Sequence, residues 1–213
     1  MVAVDKPSAQ DTSPLRIDEL RSFGYEAIRE RLERLQLNQR AVFAAACAQR
    51  LWPLYERFSE RSGTDPEPMA AILDEIWRAL EGPGALNSTA QERAESLIPS
   101  EDDEFWIRGS SYAQNAAAAV YYAAVTASSR SPETAAWAAT QVYEAADYGA
   151  QQLLEPLDLN TPGVERDIAS TQQVQSALEG IAQDLKAVEQ QLSPAILKND
   201  SLLKGRAWAA TLP

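Results

Sequence analysis

The chain has 213 residues, 45% hydrophobic and 23% charged, with a mean hydropathy of −0.34 and a formal net charge of −12. That length suits one globular domain with a sizeable core, and the surplus negative charge disfavours non-specific binding to nucleic acid or anionic membrane while attracting cationic partners. No histidine is present, which excludes imidazole general bases, Ser-His-Asp and Cys-His nucleophiles, and His-ligated zinc or iron.

Residues 1–14, rich in Ser, Pro and Asp, read as a mobile leader. They lack the basic start and apolar core of a secretory signal, so the cytoplasm is the expected location. From Leu15 the pattern is helical, with Leu20, Phe23, Ala27, Ile28, Leu32 and Leu35 on one face and Gly24 as a break. Asn38 is the expected N-cap of a long helix from Gln39 to Arg61, with the stripe Phe43, Cys47, Leu51, Leu54 and Phe58. Pro53 inside that helix removes one backbone hydrogen bond and predicts a kink near Gln49 to Trp52. Cys47 is the lone cysteine; it forms no internal disulfide, and its apolar surroundings predict a buried, inert thiol.

Asp65-Pro66-Glu67 starts the next helix, whose stripe is Met69, Ile72, Leu73, Ile76, Trp77 and Leu80, and Gly82-Pro83-Gly84 ends it. Ser88 or Thr89 opens a short helix to Leu97. Ser100, with Asp103 three positions on, predicts a capping box for a following helix. Tyr112 to Gln151 then reads as two alanine-rich helices joined by Arg130-Ser131-Pro132. Alanine has the best helix propensity and lets neighbouring backbones approach, so this hairpin is expected at the centre of the fold. Beyond Glu155-Pro156 and Asn160-Thr161-Pro162-Gly163, a narrow seam of Val164, Ile168, Val174, Leu178, Ile181, Leu185, Val188 and Leu192 predicts one long helix. It suits packing on the bundle or a homodimer. Pro194 stops it, and residues 194–213 read as a tail, docked or disordered.

The expectation is an all-α single domain over 15–193, a bundle of seven to eight helices around the alanine-rich hairpin. Several stretches taken together resemble the YjaG-like family of bacterial proteins, a domain-of-unknown-function family. They are Leu32-Glu33-Arg34-Leu35; Arg50, Pro53, Tyr55 and Phe58 in RLWPLYERF; and Leu73, Asp74, Ile76, Trp77 and Leu80 in ILDEIWRAL. The most specific is IPSEDDEF, Ile98 to Phe105, leading into Tyr112-Ala113. The resemblance covers about Leu32 to Gln152 and implies a compact all-α fold. It implies no reaction.

Four chemistries compete for the polar and aromatic residues. Glu101, Asp102, Asp103 and Glu104 joined by Glu144 and Asp147 would suit an oxygen-loving cation, although no EF-hand spacing is present. Paired carboxylates also serve glycosidases, but nothing in the sequence sets their separation. Ten of the twelve Trp and Tyr residues, among them Trp52, Tyr55, Trp77, Trp106, Tyr112 and Trp137, suit core packing or a pocket near Arg50 or Arg108. The fourth is a binding surface: in Asn87–Glu104 and Thr140–Asp167 acids heavily outnumber bases. No Walker or GxGxxG motif is present, and no cofactor is expected.

The sequence favours a non-enzymatic module that binds a basic protein through Glu101, Asp102, Asp103, Glu104, Trp106, Glu144, Asp147 and Tyr148, in its sharpest form an immunity or antitoxin-type inhibitor. No catalytic or metal residue is assigned in it. The runner-up is a carboxylate-based metal-dependent enzyme centred on Asp102, Asp103, Glu144 and Asp147.

Overall fold

Every residue from Ala41 to Tyr55 is buried. A helix shielded round its whole circumference must be wrapped by others, and Ala41, Ala44, Ala45, Ala46 and Ala48 keep its girth small enough for close approach. In the computed structural model, which describes residues 23–82, 86–102, 106–107, 109–154 and 156–213, this run belongs to the longest of nine helices found among the described residues. In chain order they are α1 (Tyr25–Glu33), α2 (Leu37–Ser62), α3 (Glu67–Glu81), α4 (Ala90–Glu95), α5 (Ser110–Ser129), α6 (Pro132–Leu153), α7 (Val164–Ala169), α8 (Gln172–Glu189) and α9 (Pro194–Ala209). No strand occurs among the described residues, and the fold is all-α.

The alanine-rich hairpin is α5–α6. Ser131 caps α6 by accepting from the Glu133 N–H, and Arg130 takes the left-handed conformation between the two helices. Both helices pack on α2, so α2 and the hairpin share the centre, with α3, α8 and α9 around them. The buried residues form one continuous cluster from Ile28 to Leu212.

Several local expectations change. The α2 N-cap is Gln36, not Asn38: the Gln36 N–H donates to the Gln39 side chain at 2.8 Å, and the Asn38 side chain instead accepts from Arg130. Ser100 caps no helix within the described residues. Its hydroxyl accepts from the Asp102 N–H in a turn, and the next helix starts at Ser110. Asp103, the other half of that expected box, lies outside the described residues, as do the 1–14 leader, Leu15, Leu20, Pro83, Gly84, Glu104, Phe105, Arg108 and Glu155.

The long C-terminal helix is two. Ser170 ends α7, and Thr171 restarts the chain as N-cap of α8 by accepting from the Val174 N–H. Val174, Leu178, Ile181, Leu185 and Val188 all face inward, toward α6, α2 and α9. The seam is therefore spent inside the chain. Residues 194–209, expected as a tail, form α9, with Ser193 as N-cap and Pro194 in the first turn. These two changes raise the helix total above the seven or eight expected.

Close approach explains how α9 docks. A Cβ at Gly205 would sit 2.3 Å from the Arg50 carbonyl oxygen, so only glycine lets the α9 backbone lie directly on α2. The end of the chain is tied down by Arg57, which donates to the carbonyls of Ala209, Leu212 and Pro213 at 3.1–3.3 Å.

Candidate functional site

Arg50, one of the two arginines near which a pocket stood as the alternative to core packing, is 3% exposed and paired inside the core. Its Nε and Nη2 donate to the two carboxylate oxygens of Asp184 at 2.9 and 2.7 Å, and Ser201 donates to the same carboxylate at 3.1 Å. Gly180 leaves the space the guanidinium fills, because a Cβ there would lie 2.9 Å from Cζ. At the residue before Arg50, the Trp77 indole N–H donates to the buried Gln49 side chain at 2.8 Å. Burial pushes the Cys47 thiol well up, aided by the Asp184 charge and opposed by Arg50. The thiol is thus held protonated, as its sequence context predicted. This polar centre binds α2, α8 and α9 to one another and presents nothing outward.

The outward-facing feature lies at the far end of α2. Trp52, Tyr55 and Phe58 form an aromatic run there, with centroid separations of 5.5 and 6.2 Å. The chain leaving α4 passes over this run, and the two enclose a cleft of about 230 Å³. Its walls include Tyr55, Phe58, Leu97, Ile98, Trp106 and Ser110. Local hydrogen bonds fix the walls. Gln114 donates to the Pro99 carbonyl at 3.0 Å, tying the loop to α5, and the Ile107 N–H donates to the Ser110 hydroxyl at 2.8 Å. Burial, and then the nearby Asp65 carboxylate, raise the Tyr55 hydroxyl above the usual phenol range.

Glu101 and Asp102 are exposed in the turn directly after Pro99, which is itself a wall of this cleft. Trp106 is half-buried and lines the opening. Three of the expected partner-binding residues therefore belong to one loop around an aromatic hollow. Asp103 and Glu104 lie outside the described residues.

Glu144, Asp147 and Tyr148 sit on α6. Partial burial, and secondarily the charge of Asp147, push the Glu144 carboxyl upward. Asp147 accepts from Gln151 at 2.5 Å, and the neighbouring Tyr143 ring stacks on Phe23 at 4.9 Å. Tyr148 meets Tyr112 edge-on at 4.9 Å, and the Arg57 guanidinium lies over the other ring of that pair, 5.3 Å from the Tyr112 centroid. Tyr148 thus divides its role between packing and surface.

Among the described residues, no three Asp, Glu or Cys side chains gather into a group able to hold a metal ion. Glu144 and Asp147 come together as expected from their spacing, but Asp102 does not join them in such a group. The sequence missed Leu97, Ile98 and Ser110 as cleft walls. Leu97 and Ile98 were legible as the apolar end of a short helix, whereas nothing marked Ser110, whose role depends on where α5 begins. No helix among the described residues is long and apolar enough to cross a membrane.

Comparison with known proteins agrees with this architecture. The chain is 40% identical over 76 residues to the uncharacterized protein YjaG of Escherichia coli K12, across 34% of this chain and 39% of that protein. The match thus spans well under half the length of that curated relative. A crystal structure of a DUF416 family protein from Shewanella baltica OS155 superposes with a TM-score of 0.71 at 20% identity, covering 85% of this chain and 95% of that one. At that identity the likeness shows a shared fold. Residues 27–191 match the model of the family described as Protein of unknown function (DUF416), and the chain belongs to that family.

Proposed function

We propose that this protein is a non-enzymatic interaction module that holds a basic protein partner through the acidic, aromatic loop around Trp106. One observation supports it above the others: an aromatic cleft of about 230 Å³ opens beside two exposed carboxylates, Glu101 and Asp102. A hollow of that size takes one or two side chains of a partner, not a large cofactor, and binding surfaces concentrate their strength in such pockets. The carboxylates at the rim supply charge selection and faster encounter with a basic protein, in keeping with the net charge of −12. An inhibitor of the immunity or antitoxin kind is the sharpest form of this proposal, since it needs charge and shape but no catalytic group. The carboxylate-metal alternative has no ligand set behind it among the described residues.

The test is site-specific photo-crosslinking in living cells. A photoreactive residue at position 102 is expected to trap one discrete protein of basic composition. The same residue at the exposed position 179 on α8 is expected to trap none. Equal labelling from both positions, or none from position 102, would remove the cleft from consideration.

A further inference from the structure

A second surface, on other helices, has a composition that points to a particular side chain. Trp137 on α6 is 40% exposed although it is a large aromatic. Its indole neighbours two tyrosines: Tyr25 of α1 at 5.2 Å with a 47° tilt, and Tyr122 of α5 at 6.2 Å and nearly parallel, 21°. Beside this row, α1 along its length and the first turn of α6 enclose a polar hollow of about 470 Å³ whose lining includes Tyr25, Glu26, Arg29, Glu33 and Glu133.

The charges in the hollow are unbalanced. Arg29 is held from both sides by Glu26 and Glu33, which spends those two carboxylates locally. The Glu133 carboxylate has no cationic partner among the described residues. Glu133 lies one turn before Trp137 on α6, hence on the same face. Its charge also reaches the Tyr25 hydroxyl, which is raised first by burial, then by Glu133 and Glu26. The ring row, through Tyr25, and a carboxylate with no cationic partner among the described residues therefore meet at this hollow.

We propose that the Trp137–Glu133 face receives an arginine side chain from a basic segment of a partner polypeptide. The guanidinium is planar, so it stacks on an exposed indole while its edge donates N–H groups to a carboxylate. A quaternary ammonium has no N–H for Glu133, and a neutral side chain gains nothing from it. The site uses none of the Trp106 cleft residues and does not depend on that cleft binding anything.

The full chain is titrated with an acetylated, amidated Gly-Arg-Gly-Arg-Gly peptide while the indole N–H resonances of the five tryptophans are followed by NMR. Trp137→Phe assigns the signal, and thermal melts confirm that each variant is folded. A saturable shift of the Trp137 signal is expected, weakened about tenfold or more by Glu133→Gln. It should be lost with citrulline in place of arginine and unchanged in Trp106→Ala. An equal response to the citrulline peptide, or indifference to Glu133→Gln, would overturn the proposal. Two other occupants would overturn it as well. Concentration-dependent shifts without peptide would mean a second copy, and a change on Arg16→Gln or Arg21→Gln without peptide would mean the chain's own N-terminal residues. Failure here with position 102 still crosslinking would leave the Trp106 cleft standing; the reverse pattern would leave this site.

Discussion

Glu144 shows how one side chain's surroundings set its chemistry. Its carboxyl is raised, first by partial burial and then by Asp147 one turn on. The folded protein therefore holds that proton to higher pH than the unfolded chain does, and stability falls as pH rises through the interval between the two values. Above the folded value the penalty is complete; below the ordinary carboxylate range it is absent. Glu144→Gln should accordingly raise the melting temperature at pH 7, with the difference closing as pH drops below about 4. Solvent screening keeps the gain small, no more than about 0.5 kcal/mol. A melting series in which the variant is less stable than the parent at pH 7 would show that the carboxylate is instead stabilised by its neighbours.

At the scale of helices, Arg50, Asp184 and Ser201 join α2, α8 and α9, and Gly180 and Gly205 let them approach. Removing one member of a buried ion pair leaves the other charge uncompensated in the core. Asp184→Ala is thus predicted to lower stability by about 3–5 kcal/mol in urea unfolding, with the loss concentrated where α8 and α9 meet α2. The elements themselves were mostly legible. The stripe Met69–Leu80 and the alanine runs of α5 and α6 gave helices close to where they lie, because their periods and start signals agree. The joints were not. The seam's spacing continues from Ile168 to Val174 only through polar Thr171, which reads as a member of one long helix but is the hydroxyl cap that starts a second. α9 has too weak a stripe to announce itself. Its docking comes from a glycine in backbone contact with α2 and from Arg57 gripping the last carbonyls, partners more than a hundred positions apart. Among site residues, Trp106 and Glu101–Asp102 were readable as aromatic and acidic. That Trp106 lines the cleft while Glu101 and Asp102 lie exposed in the turn following its wall residue Pro99 depends on long-range packing that no local pattern announces. Trp137, grouped with core aromatics by sequence, is 40% exposed although it contacts the rings of Tyr25 and Tyr122.

For the molecule as a whole, the family match and the shared fold describe a helical scaffold. The buried ion pair of Arg50 and Asp184 is closed within the core, Ser59 Oγ is a buried hydroxyl with no hydrogen-bond partner among the described residues, and the chain carries a net charge of −12. Within the core, the Asp184 carboxylate is occupied by Arg50 and Ser201, and the Cys47 thiol is shielded by burial. The proposed contacts with other molecules lie at the cleft beside Trp106 and at the ring row of Trp137. Binding through such surfaces needs no activated nucleophile, which accords with a chain that has no histidine. The most direct measurement is calorimetric titration of the full chain with the purified protein captured at position 102, repeated for Trp106→Ala and for Asp102→Lys. The account predicts saturable binding that weakens with salt and loses about tenfold or more in affinity in each variant. Affinity unchanged in both variants and insensitive to salt would contradict it.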